Sequence, residues 1–137
     1  FHLGTTRAVL VVGSYAFKFA RHEVGADCNL LEAKLWREVK EFRRAMLCPV
    51  IACSPNGAVL LARAATPLTQ AEFFELFYSG GLPDWDYQPH DPDGPDPFEW
   101  KPSDWGRIDG RPVSVDYATP AMSDADENFR RWLESLE

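Results

Sequence analysis

The sequence predicts an α+β domain built on a small, mostly antiparallel sheet. Three observations lead there: two pairs of short β-branched and aromatic runs joined by tight-turn residues, a helix-length amphipathic stretch between those pairs, and a third hairpin pattern after a long Pro- and Gly-rich segment. Strand pairs that follow each other through short turns favour antiparallel pairing, and helices that fall between and after them favour segregated layers.

Taken in order, "RAVLVVGSYAFKFAR" is two strands turning at Gly13-Ser14, the signal for a tight hairpin. Alternation along the second strand puts Tyr15, Phe17 and Phe19 on one face and Ala16, Lys18 and Ala20 on the other, so Lys18 falls on the less apolar face. From Asn29 to about Met46 the chain reads as one amphipathic helix, with Leu31, Leu35, Val39, Phe42 and Met46 on a single stripe and Pro49 ending it. Glu32, three residues after Asn29, has the spacing of a capping box at its start. "VIACSPNGAVLLARA" is a second strand pair around Pro55-Asn56-Gly57, with Gly where a positive φ is needed.

A second helix is expected from Thr69 to Tyr78. Thr69 followed by Glu72 is a capping box, and Phe73, Phe74 and Phe77 supply an apolar face. Residues 80–96, within "GGLPDWDYQPHDPDGPDP", read as a loop with little regular structure. "GRIDGRPVSVDYA" is a third hairpin turning at Asp109-Gly110, with Val113 and Val115 on one face and Asp116 on the other. An amphipathic helix from about Ser123 to Leu136 closes the chain, and no internal repeat is visible.

At 137 residues the chain is about one domain long. A formal net charge of −7 argues against binding to nucleic acid phosphates or anionic membrane surfaces, both of which need a basic face. No apolar run approaches the roughly 20 residues of a membrane span. Cys28, Cys48 and Cys53 are odd in number and lack paired zinc-site spacing, so buried thiols in a reducing compartment are expected. With no basic segment followed by an apolar run at the first residues, a cytoplasmic location is expected. His2, His22 and His90 have no metal-cluster spacing, and the seven acidic side chains among residues 84–104 read as a solvated loop rather than a calcium site.

The chemistry-bearing residues lie in "AFKFAR" and "EWKPSDWGRIDGRPVSVDYA". Phosphoryl transfer asks mainly for positioning and for cations that offset phosphate charge. A Lys held by a carboxylate can grip nonbridging oxygens, and two carboxylates from a loop and a strand end can hold magnesium. Lys18, Asp104 and Asp116 are candidates for those parts, and Glu99 for accepting a hydroxyl proton. From the residues alone, Lys18 is equally a solvent-facing strand lysine, and Asp104 a turn cap before Gly106.

The twenty residues from Glu99 to Ala118 resemble the catalytic loop and metal-binding strand of the protein kinase-like superfamily, in which Asp-x-Lys-Pro-x-Asn is followed by a hairpin and Asp-Phe-Gly. The resemblance puts Glu99 at the catalytic Asp, matches Lys101 and Pro102, puts Asp104 at the metal-binding Asn, and lays Asp116-Tyr117-Ala118 on Asp-Phe-Gly. "AFKFAR" resembles the Ala-x-Lys strand, which implies that Ala16 and Lys18 contact ATP and that a Glu of the following helix pairs with Lys18. Glu32 and Glu38, on opposite sides of the apolar stripe, both remain candidates.

What the resemblance implies is a minimal kinase-like domain spanning 1–137. Residues 1–66 would form an N-lobe-like part with a small antiparallel sheet plus one helix and a hinge near Arg63 to Thr66, and residues 67–137 a strongly reduced C-lobe-like part. Its implied ligands are ATP and Mg, with Asp104 and Asp116 on the metal and Glu99 and Lys101 at the reacting group.

The departures are specific: Gly4 alone stands where a Gly-rich loop would be, Glu replaces Asp at 99, and 21 residues follow Asp116. They point to a pseudokinase-like module acting through a protein partner or as a homo-oligomer. An active phosphotransferase and a non-nucleotide interaction protein are the alternatives, the latter using Phe73, Phe74, Phe77 and Tyr78 as a surface patch, although helical spacing favours core for these four.

Overall fold

A computed structural model of the chain describes residues 2–117. It is an α+β fold with two antiparallel sheets. The first contains β1 (His2–Leu3), β2 (Arg7–Val12), β3 (Tyr15–Ala20), β4 (Val50–Cys53) and β5 (Val59–Arg63), in the spatial order β1-β2-β3-β5-β4. The second contains β6 (Thr66–Pro67), β7 (Trp105–Ile108) and β8 (Arg111–Ser114), paired in that order. Helices α1 (Glu23–Glu38), α2 (Glu41–Arg44) and α3 (Gln70–Ser79) and one 3-10 turn (Pro102–Asp104) complete the described part. None of these helices is long and apolar enough to cross a membrane. The closing helix expected near Ser123–Leu136 lies outside the described residues.

The turn signals act where the sequence places them. Gly13, at φ +59°, closes a two-residue hairpin in which Val12 faces Tyr15 and Arg7 faces Ala20. Asp109 and Gly110 both take positive φ, the geometry whose twist matches that of the flanking strands β7 and β8. Gly57, at φ +75°, is required twice over, because a Cβ there would also fall 2.3 Å from the Ala26 carbonyl oxygen of α1. The Thr69 hydroxyl accepts from the Glu72 amide while Glu72 reaches back to the Thr69 amide, so the capping box starts α3 as expected.

The face carrying Lys18 is the buried one. Ala16 and Lys18 sit opposite Ala62 and Leu60 under α1, and all four are at most 7% exposed, while Tyr15 and Phe19 point to solvent. The solvent-facing alternative for Lys18 is thereby overturned; a carboxylate from α1 makes the buried lysine tolerable.

The helix expected over Asn29–Met46 is two helices with earlier boundaries. α1 begins at Glu23, six residues before Asn29, and ends at Glu38; Val39 and Lys40 are extended before α2. Its buried stripe is Gly25, Cys28, Asn29 and Glu32, a mixed set at helical spacing that an apolar periodicity does not register. Asn29 is therefore not a cap, and Glu32 does not complete a capping box. At the break, the Lys40 amide donates to the Asp93 carboxylate at 3.2 Å instead of continuing the helical ladder. Phe42, assigned to the apolar stripe, is exposed.

Residues 80–96 have little regular structure, as expected, but they are packed. Trp85, with Phe98 just beyond the segment, joins Trp105, Phe73, Leu47, Ile108, Val113 and Tyr117 in the main core. Asp91 and Asp93 have side chains 4% and 7% exposed and pair with buried Arg43, so the description of this run as a solvated acidic loop fails for both. Of the four aromatics on α3, Phe73 alone is core; Phe74, Phe77 and Tyr78 are exposed, so helical spacing does not make all four core.

Candidate functional site

A cleft of about 720 Å³ opens between the inner face of the first sheet and the segment leading into and out of the second. Its apolar wall comes from Val9, Val11 and Ala16 of β2 and β3, Ala64 and Ala65 between the sheets, and Leu68. Its polar end holds Arg7, Lys18, Lys101, Asp104 and Asp116. Strand alternation explains the first two: Arg7, Val9 and Val11 share one face of β2 and sit opposite Ala20, Lys18 and Ala16.

Lys18 Nζ donates to Glu32 Oε2 at 2.8 Å and to the Val115 carbonyl at 2.6 Å, which ties β3 to α1 and to the exit of β8. Glu32 is wholly buried. Burial alone would raise its pKa, yet Lys18 and Arg7 outweigh this and hold it below the ordinary carboxylate value. Its Oε1 also accepts from the Tyr117 amide at 3.4 Å, and the Tyr117 hydroxyl donates to the Cys48 carbonyl at 2.7 Å, anchoring the segment after Asp116.

Arg7 is the residue that the motif comparison passes over. Its guanidinium donates to Asn29 Oδ1 at 3.1 Å, to both Glu32 oxygens at 3.4 Å, and to Asp116 Oδ1 at 2.9 Å. Burial opposes the charge, but Glu32 and Asp116 raise the guanidinium pKa further above its ordinary value. Asn29 completes the shell by donating to the Lys18 and Gly57 carbonyls. A signal for Arg7 did exist in the alternation of β2, which points it to the same side as Lys18.

On the opposite wall, Asp104 is buried at the end of the 3-10 turn, and Lys101 Nζ lies 3.7 Å from its carboxylate and 3.2 Å from that of Glu99. Burial first, and the charge of Asp116 second, push the Asp104 pKa up to about 6, against the opposing pull of Lys101. Because its folded-state value lies above the unfolded-state one near 3.9, the folded protein binds more protons between about pH 4 and 6, and stability falls as pH rises through that window. Asp104→Asn is therefore expected to raise the thermal midpoint at pH 7.5 and to flatten the decline between pH 4.5 and 6.5, read from melts across that range. An unchanged midpoint at pH 7.5 would show that Asp104, with Lys101, Glu99 and Asp116 around it, carries no charging cost.

Five of the eight residues singled out in the sequence line the cleft: Ala16, Lys18, Lys101, Asp104 and Asp116. Glu32 stands behind it as the partner of Lys18, which decides between the two helix candidates. Glu38 is exposed at the far end of α1 and borders a separate groove with Leu35 and Pro92. Glu99 is exposed and does not line the cleft. Gly4 does, but its amide already donates to the Arg7 carbonyl at 2.8 Å and is not free for a phosphate. An apolar slot ending in fixed cations can take a flat, uncharged group with an anionic tail. No protein-family model, curated protein or solved structure matches the chain.

Proposed function

We propose that this chain is a protein kinase-like nucleotide-binding module of pseudokinase type, which binds ATP with weak or no turnover and acts through a partner. The observation that carries this reading is Lys18, held by Glu32 at 2.8 Å on the inner face of a cleft that also gathers Asp104 and Asp116 from a loop and a strand exit. The base would lie along Val9, Ala16 and Leu68, and the phosphates toward Lys18. Positioning without turnover is favoured because Glu99, the residue laid on the catalytic base, lies outside the cleft and is drawn to Lys101. An active phosphotransferase, the alternative reading, would need Glu99 to turn inward. Exposed Phe74, Phe77, Tyr78 and Trp100 offer the apolar surface a protein partner would cover. Free Cys28, Cys48 and Cys53 support a cytoplasmic setting, and the net charge of −7 supports partners other than nucleic acid.

The test is the thermal midpoint with and without millimolar ATP, for wild type and Lys18→Met. A ligand at about 100 times its Kd adds roughly 2.7 kcal/mol, which moves the midpoint by several degrees in a domain of this size. The expected result is a shift in wild type that is lost in Lys18→Met; no shift in wild type at any ATP concentration sinks the nucleotide reading.

A further inference from the structure

The resemblance implies magnesium on Asp104 and Asp116, and the residues do not fit it as they stand. Asp116 already accepts from Arg7 at 2.9 Å, so a divalent ion on that carboxylate would sit against a fixed positive charge or have to displace it. Displacement is costly, because Arg7 is 7% exposed and is also held by Asn29 and Glu32; moving it out leaves the wholly buried Glu32 with Lys18 as its one cationic partner. Among the described residues no group of three His, Cys, Asp or Glu side chains is arranged to hold a metal ion.

We propose that the guanidinium of Arg7 takes the place of a divalent cation in this cleft, so that the phosphates of a nucleotide bind there without metal. This rests on the nucleotide reading and adds the nature of the counter-charge. Arg7 and Lys18 converge on the two oxygens of one carboxylate, Glu32, and both line the cleft, so two cations are preset side by side at its polar end. The Nη groups of Arg7 are engaged by Asn29, Glu32 and Asp116, so a phosphate oxygen reaches the guanidinium by replacing the half-exposed Asp116 carboxylate on Nη2, where the low dielectric around a buried cation strengthens the contact. Asp116, with its side chain 40% exposed, becomes a positioning residue that aims Arg7 rather than a metal ligand. Its negative charge then opposes phosphate binding, the reverse of what a metal ligand would do.

The experiment is isothermal titration of ATP into the full chain, once in EDTA and once in magnesium, for wild type, Asp116→Asn and Arg7→Lys, with folding checked by circular dichroism. The expected result is a wild-type Kd in EDTA within about threefold of that in magnesium, equal or tighter binding in EDTA by Asp116→Asn, and weakening by about tenfold or more in Arg7→Lys. Should Arg7→Lys fail to fold, the first two comparisons still decide. Binding by wild type that requires magnesium, or that is lost in Asp116→Asn, overturns the proposal and leaves the nucleotide reading intact. Absence of binding in both conditions overturns the two together.

Discussion

Replacing Glu32 with Gln is expected to cost about 3–5 kcal/mol and to lower the thermal midpoint by about 10–20 °C, because it removes the one carboxylate shared by two buried cations. Lys18 and Arg7 would keep their positive charges on the inner face of the first sheet, with the Val115 carbonyl, Asn29 and Asp116 as remaining partners. The loss would be a large part of the stability a domain of this size possesses. A control separates the ion pair from general packing: adding Lys18→Met to Glu32→Gln takes away one orphaned cation, so the double variant should be more stable than the two single losses summed, by at least about 1 kcal/mol. Glu38→Gln, at the exposed end of the same helix, should leave the midpoint within about 1 °C. Additive losses in the double variant would mean that Lys18 and Glu32 are not coupled as their 2.8 Å separation requires.

That network also shows which parts of the site are legible in a sequence. Lys18, Asp104 and Asp116 can be picked out because each sits at a fixed offset from local features: a strand pattern, a Pro-initiated turn, the end of a hairpin. Arg7 is harder, since its meaning comes from Asp116, 109 positions away, and from a helix whose inner face is polar. The same polar face explains the displaced start of α1. Apolar periodicity reports the Leu35 side, which packs against the main core, while Gly25, Cys28, Asn29 and Glu32 meet the sheet through small size and hydrogen bonds. The turns and the cap of α3 are legible, because Gly13, Gly57, Gly110 and the Thr69–Glu72 pair act within a few residues of chain, whereas the Asn29–Glu32 spacing only mimics a capping box inside α1. The packing of residues 80–96 is not legible, because the group that organises it comes from outside the segment.

That group is Arg43, and its removal is the second substitution expected to have a large effect. On α2 it is 1% exposed, its Nε donates to the Trp85 carbonyl at 2.9 Å, its Nη2 to the Asp86 carbonyl at 3.1 Å, and its Nη1 to Asp93 at 2.9 Å; Asp91 completes the set as an ion pair. The guanidinium also lies 4.9 Å from the centroid of the Trp85 ring. One side chain thus satisfies two loop carbonyls and two carboxylates, and hydrogen bonds from Arg43 hold the Asp91 carboxyl well below the ordinary carboxylate range. Arg43→Ala would leave Asp91 and Asp93 facing each other without their shared cation, and would withdraw the ring partner of Trp85, which anchors the aromatic chain through Phe98 to Trp105. The expected outcome is a midpoint lower by about 10 °C or more, together with new protease cleavage confined to residues 80–96. Arg43→Lys should recover only a small part of this, since a single ammonium cannot reach four acceptors set out for a planar fork. Because a carboxylate with a depressed folded-state pKa stabilises above its unfolded value and loses that contribution as pH falls through the folded one, wild type should lose stability on acidification below about pH 4, and Arg43→Ala should lose less over the same range. Equal acid sensitivity in the two proteins, with no new cleavage in the segment, would show that the loop is held by its aromatic residues and not by Arg43.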